Sequence, residues 1–173
     1  MVENADTSDS AASSGDGSSP LAASGASAPR VDFYIIEDSS SSARLKLACK
    51  LAEKAYLAGQ TALVWHTDPR ELNDFDELLW TFNDGSFVPH EALPNSGVPG
   101  TESPVFLSAG VALSANVDII INLAPELPPS LSWTRRVAEI IDGDDTRRRA
   151  GRARFKAYRE LGVQPASHNL RTD

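Results

Sequence analysis

The feature that most restricts the fold is the run Val117–Ala124, VDIIINLA, because it is apolar almost without interruption. A strand with one face in water alternates apolar and polar residues, whereas a continuous run favours a strand that is buried on both faces. Strands of this kind occur in sheets that are covered by helices on both sides. The run therefore predicts an α/β protein with a central sheet.

Strand and helix patterns alternate along the rest of the chain. Strands are predicted over the run VDFYIIED from Val31, at residues 61–67, 87–93, 105–108 and 117–123, and as a short strand at 137–141. Helices are predicted at 43–58 after a serine cluster, from Asp68-Pro69 to about Thr81, and after the capping group Asp144-Asp145-Thr146. We expect a three-layer α/β fold whose mostly parallel or mixed sheet has helices on both faces, resembling nucleotide-binding folds without the phosphate loop.

The chain divides by composition. Residues 1–30 consist mostly of Ala, Ser, Gly and Asp without an aromatic residue, so they predict a disordered tail. Residues 31–165 are expected to form a single domain. Residues 166–173 are expected to be a flexible C-terminal end.

Charge and cysteine content limit the function classes. The net charge of -8 argues against broad contact with duplex DNA, so nucleic acid contact is expected to be mainly indirect. A secretory signal and an apolar stretch long enough for a membrane span are both missing, which predicts a cytoplasmic protein without membrane contact. The single cysteine, Cys49, is interpreted as a buried structural thiol.

Sequence signs of catalysis are weak. The chain lacks the GxxxxGK[ST], GxGxxG and GxSxG motifs, and His66, His90 and His168 are far apart, so no cofactor and no metal are expected. The best catalytic candidates are His66 and Asp68 at the end of a predicted strand, with Asp38 after the first strand. We interpret them as structural, and the two aspartates as helix caps.

The segment Thr146–Arg159 holds seven of the sixteen Lys and Arg residues and no acid. As a helix it would place a core-facing stripe on one side and a basic, aromatic face on the other. The predicted stripe is Ala150, Ala153, Ala157 and Leu161, and the opposite face is Arg148, Arg152, Phe155 and Arg159. That face suits an acidic ligand with an apolar end; a solvated basic face with Phe155 in a neighbouring groove is the alternative.

A second unusual region follows the second predicted helix. Trp80 lies beside the apolar stripe of this helix rather than within it, and the following loop carries Phe82 and the sequence Phe87-Val88-Pro89-His90. Such aromatic density fills a core in most proteins, but it also forms anchor patches for partner proteins. The residues alone leave both interpretations open.

The motifs SFVPH and RFKAYR, in this order, together with the strand VDIIINL, resemble those of the chi subunit of bacterial DNA polymerase III over roughly Val31–Gly162. The resemblance implies an accessory subunit of the clamp-loader assembly, not itself an enzyme, within a DNA-directed DNA polymerase complex. It implies that the last helix binds the acidic C-terminal tail of single-strand-binding protein. The residues matched to that role are Arg148, Arg152, Phe155, Lys156 and Arg159.

The resemblance also implies a second surface at Trp80 and Phe87. In the family this surface binds the small psi subunit in a heterodimer that links chi to the clamp loader, and in some chi proteins a helicase-like repair partner. The chain departs from the family in its 30-residue N-terminal tail, in the loop from Pro94 to Pro104, in Phe155 where a tyrosine is familiar, and in Arg148 where a lysine is familiar.

Two other functions compete with this interpretation. The basic helix suits direct binding of single-stranded DNA, with Phe155 stacking on a base. A small-molecule enzyme with a site around Asp38, His66 and Asp68 is the third hypothesis, and it depends on analogy of fold alone.

Overall fold

The computed structural model describes residues 27–171, which form one open seven-stranded sheet with the strand order β3-β4-β2-β5-β6-β1-β7. The strands are β1 (Arg30–Ile36), β2 (Ala62–His66), β3 (His90–Ala92), β4 (Val105–Ala109), β5 (Val117–Asn122), β6 (Thr134–Ile141) and β7 (Ala166–Leu170). The helices are α1 (Ser41–Leu57), α2 (Pro69–Thr81) and α3 (Asp145–Glu160). Most of the predicted tail, residues 1–26, lies outside the described residues.

The predicted α/β class is confirmed, and every pair of neighbouring strands is parallel. β5, which contains the apolar run, lies between β2 and β6. Its residues Ile119, Ile120 and Ile121 are all buried, as a strand covered on both faces requires.

Two hydrophobic cores lie on the two faces of the sheet. α1 and α2 pack on one face, where Leu45, Phe75 and Leu79 meet Ile119 and Ile121 of β5. α3 packs on the other face, where Tyr158 belongs to the same core as Phe33, Ile120 and Val137. Successive side chains of a strand point to opposite faces, so one strand supplies both cores. None of the helices within residues 27–171 is long and apolar enough to cross a membrane.

The polar residues that begin the helices act as predicted. Ser40 caps α1 by accepting a hydrogen bond from the backbone N–H of Ala43. Asp68 caps α2 in the same way through Arg70, and Pro69 occupies the first turn, where its missing N–H costs little. Asp144 caps α3 by accepting from the backbone N–H of Arg147.

The predicted core stripe of α3 is wrong. The buried residues of this helix are Gly151, Arg154 and Tyr158, whereas Ala153 and Leu161 are exposed and Ala150 and Ala157 are only half-buried. Arg154 is buried because its Nε donates to the carboxylate of Glu139 on β6 at 2.9 Å, and the Tyr158 hydroxyl donates to the same carboxylate at 2.7 Å. A buried carboxylate on a different element therefore sets the rotation of the helix, which an apolar pattern cannot reveal.

The predicted flexible C-terminal end is also wrong, because residues 166–170 form the edge strand β7. This strand pairs with β1, with Asp32 opposite Ala166 and Ile36 opposite Leu170. The side chain of His168 lies 2.8 Å from the buried carboxylate of Asp32. Burial opposes ionisation of Asp32, but the hydrogen bonds from His168 and Arg30 outweigh it and lower the pKa of this carboxyl.

Two strands differ in extent from the prediction. β6 begins at Thr134, three residues earlier than expected, and β3 covers only His90–Ala92 rather than residues 87–93. Phe87 consequently lies in the loop after α2 instead of in a strand.

Candidate functional site

The exposed side of α3 borders an apolar cavity of about 340 Å³. We call this cavity the α3 groove; the residues that line it are Phe33, Ile35, Ile141, Arg148, Gly151, Arg152, Phe155 and Ser167. The ring of Phe155 is half-buried and packs against Phe33 with 5.2 Å between ring centroids. Phe155 thus forms part of the wall of the groove, and Arg148 and Arg152 place two cationic groups beside apolar surface.

A second depression continues along the helix from the α3 groove. Its lining includes Arg152 and Phe155 again, together with Lys156, Arg159, Glu160 and Gln164. The structure therefore brings together all five residues of α3 that sequence analysis selected. Four of them, Arg148, Arg152, Lys156 and Arg159, are cations beside the wall that Phe155 contributes, and Glu160 lies 3.9 Å from Lys156.

The cations of this helix differ in their partners. Arg147 and Arg154 are paired with the buried carboxylates of Asp142 and Glu139, at 2.8 and 2.9 Å. Within the described residues, no carboxylate lies within 4.0 Å of the guanidinium groups of Arg148, Arg152 or Arg159. The charges that border the groove are therefore those that remain available to an external anion.

Glu139 holds α3 in the orientation that forms the groove. Its carboxylate is fully buried and accepts hydrogen bonds from Arg154, Tyr158 and the side-chain amide of Asn122. Burial raises the pKa of Glu139, against the opposing effect of the Arg154 charge and these hydrogen bonds. Burial also raises the pKa of Tyr158, so its hydroxyl stays a donor.

Gly151 allows α3 to approach the sheet closely. A Cβ atom at this position would lie 2.5 Å from the terminal methyl carbon of Ile141 on β6. Glycine in a helix interior lowers helix stability by roughly 1 kcal/mol relative to alanine. At this position the absence of a Cβ allows the helix to pack closely on Ile141. Gly151 also lines the α3 groove, together with Ile141 and Phe155.

A second candidate surface lies at the end of α2. Trp80 is 52% exposed and Phe87 is 61% exposed, and their ring centroids are 5.5 Å apart. We call this pair the aromatic patch. Of the two interpretations that the sequence left open, the structure favours exposed rings over core filling, because a monomer gains little from two adjacent large rings in water.

His90 supports the aromatic patch from below. Its side chain is 2% exposed and its ring lies against Trp80, with 4.5 Å between centroids. Its two nitrogens contact the carbonyl oxygen of Val88 at 2.7 Å and the carboxylate of Asp76 at 3.0 Å. These contacts fix the ring on which Trp80 rests.

The structure separates the three catalytic candidates. His66 and Asp68 line a cavity of about 440 Å³ at the carboxyl ends of the strands, whereas Asp38 lines a different cavity beside α1. The ring of His66 accepts a hydrogen bond from the backbone N–H of Asp68 and lies 3.0 Å from Glu71, and burial lowers its pKa. Asp38 accepts a hydrogen bond from the backbone N–H of Ser40, the residue that caps α1, rather than capping the helix itself. No group of three His, Cys, Asp or Glu side chains in residues 27–171 is arranged to hold a metal ion.

Sequence reasoning missed much of the α3 groove. Two lining residues, Ser167 in the segment expected to be a flexible end and Gly151 within α3, are not among the residues that the sequence analysis selected. Phe33 and Ile35 have a usable signal, since residues two apart on a strand share a face and β1 reads VDFYII. The position of that face beneath α3 depends on the strand order, which the sequence does not reveal.

The fold and the two surfaces define a class of protein: an open parallel α/β sheet that carries a cationic groove on one face and an exposed aromatic patch on the other. A family profile described as DNA polymerase III chi subunit, HolC, matches residues 29–166. The chain therefore belongs to the chi subunit family of DNA polymerase III, an accessory subunit in DNA replication.

Curated relatives agree with this assignment. The chain is 36% identical to DNA polymerase III subunit chi of Pseudomonas aeruginosa over 141 residues, which cover 82% of this chain and 96% of the relative. It is 25% identical to the subunit of Haemophilus influenzae, with 83% and 99% covered, and 27% identical to that of Escherichia coli, with 75% and 90% covered.

Proposed function

We propose that this chain is a non-catalytic accessory subunit that connects the clamp loader of DNA polymerase III to single-strand-binding protein. The α3 groove captures the acidic C-terminal tail of that protein. One observation carries the proposal: Arg148 and Arg152 border a cavity walled by the apolar side chains of Phe33, Ile141 and Phe155. An acidic peptide with a terminal aromatic ring needs cations and an apolar recess side by side, because the carboxylates and the ring must be satisfied together.

The second part of the proposal concerns the clamp loader. The aromatic patch binds the psi subunit, which connects the chain to the rest of the assembly, and a helicase-like repair partner competes for the same rings. Support comes from the exposure of Trp80 and Phe87, since exposed aromatic pairs of this kind are typical anchors of protein interfaces. The two partners use opposite faces of the sheet, so one chain can bridge them.

The groove is tested by fluorescence anisotropy with a labelled acidic peptide that ends in Pro-Phe, and with the same peptide lacking its final Phe. We expect micromolar binding of the complete peptide, about -8 kcal/mol, and at least tenfold weaker binding without the ring. Added salt weakens binding because the pairing is ionic and exposed. Arg152→Ala is expected to weaken binding about tenfold, a loss of about 1.4 kcal/mol.

Arg135→Ala is the matched control, because Arg135 is an exposed arginine at the start of β6 and lines neither cavity of α3. Equal losses of peptide affinity in both variants would mean that binding depends only on the net charge of the protein. A labelled single-stranded oligonucleotide provides the contrast with direct DNA binding. The proposal fails if the oligonucleotide binds as tightly as the peptide and Arg152→Ala weakens both equally.

A further inference from the structure

The chain segment that carries the aromatic patch has charges of one sign. No lysine or arginine occurs between Glu71 and Thr134, a stretch that contains most of α2, the loop with Phe87, and the strands β3, β4 and β5. The acids of this stretch are Glu71, Asp74, Asp76, Glu77, Asp84, Glu91, Glu102, Asp118 and Glu126. Apart from His90, every side chain of this stretch that is charged at neutral pH is therefore anionic.

Several of these carboxylates border the patch itself. Asp76 and Glu77 precede Trp80 by four and three residues on α2, so they lie one helical turn away on the same side. Asp84 is exposed in the turn between Trp80 and Phe87. From α1, Glu53 accepts a hydrogen bond from Ser86, the residue next to Phe87.

The patch is also held ready for a ligand. His90 is fixed by Val88 and Asp76, and it supports the ring of Trp80. A ring that is already packed lowers the entropy cost of binding, because the Trp80 side chain needs less ordering when the partner arrives. Exposed carboxylates around such an anchor add charge selectivity, since they attract cations and repel anions.

We infer that the aromatic patch takes a cationic amphipathic segment of a partner protein. Its apolar side covers Trp80 and Phe87, and its lysine or arginine side chains meet the exposed carboxylates of Glu77 and Asp84. DNA and acidic peptides are repelled from this surface by its charge, so the acidic peptide binds at the α3 groove instead. The inference rests on the proposed function in one respect, because both treat the aromatic patch as a binding surface for a partner protein. It adds that the partner's segment must be positively charged.

Two synthetic helical peptides of about 15 residues test the inference. Both carry Leu and Trp at spacings of three and four residues; one has Lys at the flanking positions and the other has Glu. In fluorescence anisotropy with the full chain, we expect the Lys peptide to bind at least tenfold more tightly. The double substitution Glu77→Lys with Asp84→Lys is expected to lower the affinity for the Lys peptide at least tenfold. Trp80→Ala is expected to abolish binding of this peptide.

Glu37→Lys is the matched control for charge, because Glu37 is an exposed acid after β1 and lies outside the patch. It should change binding less than twofold. The inference is overturned if the two peptides bind equally, if Glu37→Lys weakens binding as much as the double change, or if binding survives Trp80→Ala. The last result would indicate general attraction to a chain of net charge -8.

Purified psi subunit separates the inference from the proposed function. If psi does not bind while the Lys peptide behaves as expected, the named partner is wrong and the charge rule stands. If psi binds and Trp80→Ala weakens it, but Glu77→Lys with Asp84→Lys has no effect, the partner surface stands and the charge rule fails.

Discussion

At the scale of single residues, Glu139 connects the core to the α3 groove. It is the acceptor for Arg154 and Tyr158 of α3 and for Asn122 of β5. A buried ion pair contributes little net stability compared with an apolar pair, but breaking one leaves an unpaired buried charge. The groove therefore depends on a buried carboxylate that is not part of its lining.

We expect Glu139→Gln to lower the free energy of unfolding by about 3 kcal/mol, because it leaves the Arg154 guanidinium buried without a counter-charge. Urea unfolding followed by circular dichroism measures this loss. Glu160→Gln is the control, since Glu160 is exposed and lies 3.9 Å from the exposed Lys156. A similar loss in both variants would show that burial of the pair has no special role.

Cys49 provides a second residue-scale prediction. It is fully buried on the core-facing side of α1, and burial raises its pKa to about 12. The thiolate is the reactive form, so a thiol reagent should not label the folded chain at neutral pH. Labelling should reach one thiol per chain in denaturant, because the chain has a single cysteine. Fast labelling without denaturant would contradict the buried position.

At the scale of elements, the distance between α3 and the sheet depends on Gly151. Gly151→Leu is expected to lower the free energy of unfolding by about 2 kcal/mol, because the new side chain collides with Ile141 and forces the helix outward. It should also weaken binding of the acidic peptide, since Gly151 lines the groove. Chemical denaturation and peptide anisotropy measure the two effects.

Ala153→Leu tests whether these effects come from the contact rather than from the helix. Ala153 is exposed two residues along the same helix. Its substitution should change the stability by less than about 0.5 kcal/mol. If Ala153→Leu and Gly151→Leu are equally destabilised, close packing at Gly151 does not hold α3 in place.

The edge strand β7 makes a further prediction at this scale. Removing residues 166–173 exposes the backbone of β1 as a new edge and takes His168 away from Asp32. We expect a loss of roughly 2 kcal/mol in the free energy of unfolding and a greater tendency to aggregate. Urea unfolding and light scattering measure these changes. Removing only residues 171–173 should leave both properties unchanged, and equal behaviour of the two truncations would refute the structural role of β7.

At the scale of the whole molecule, the sheet separates two surfaces of different character. Phe155 belongs to the core on one face, and α2, which carries Trp80, packs on the other. Charges in water are screened beyond about 8 Å at physiological ionic strength, so binding at one surface should have little effect on the other. This separation is what the proposed bridging role requires.

Separate substitutions test this independence. Trp80→Ala together with Phe87→Ala should change the affinity for the acidic peptide by less than twofold, and Arg152→Ala should leave binding at the aromatic patch unchanged. Changes at distant sites usually add, so the triple variant should show the sum of the separate losses. Anisotropy measured on each peptide alone checks this, and a deviation beyond about 0.5 kcal/mol would mean that the surfaces are coupled.

Much of this molecule was predictable because the signals are local. The isoleucines of β5 predicted a strand buried on both faces. The serine cluster at 39–42, Asp68 and the group Asp144-Asp145-Thr146 marked the starts of the three helices of residues 27–171. Caps and apolar runs act over a few residues, so the chain alone determines them. The cationic residues of α3 and the aromatic residues near Phe87 were visible for the same reason.

Only the tertiary structure decided how these parts face one another. The side chain of Arg154 on α3 points inward because it is hydrogen-bonded to the buried carboxylate of Glu139 on β6. Residues 166–170 form a strand because they pair with the edge of β1. Trp80 packs on the ring of His90, which Asp76 holds in place, rather than inside a hydrophobic core. Its other side therefore stays exposed. Burial of a charge, pairing of an edge and exposure of a ring all depend on partners distant in sequence, and their free energies exist only once the sheet has assembled.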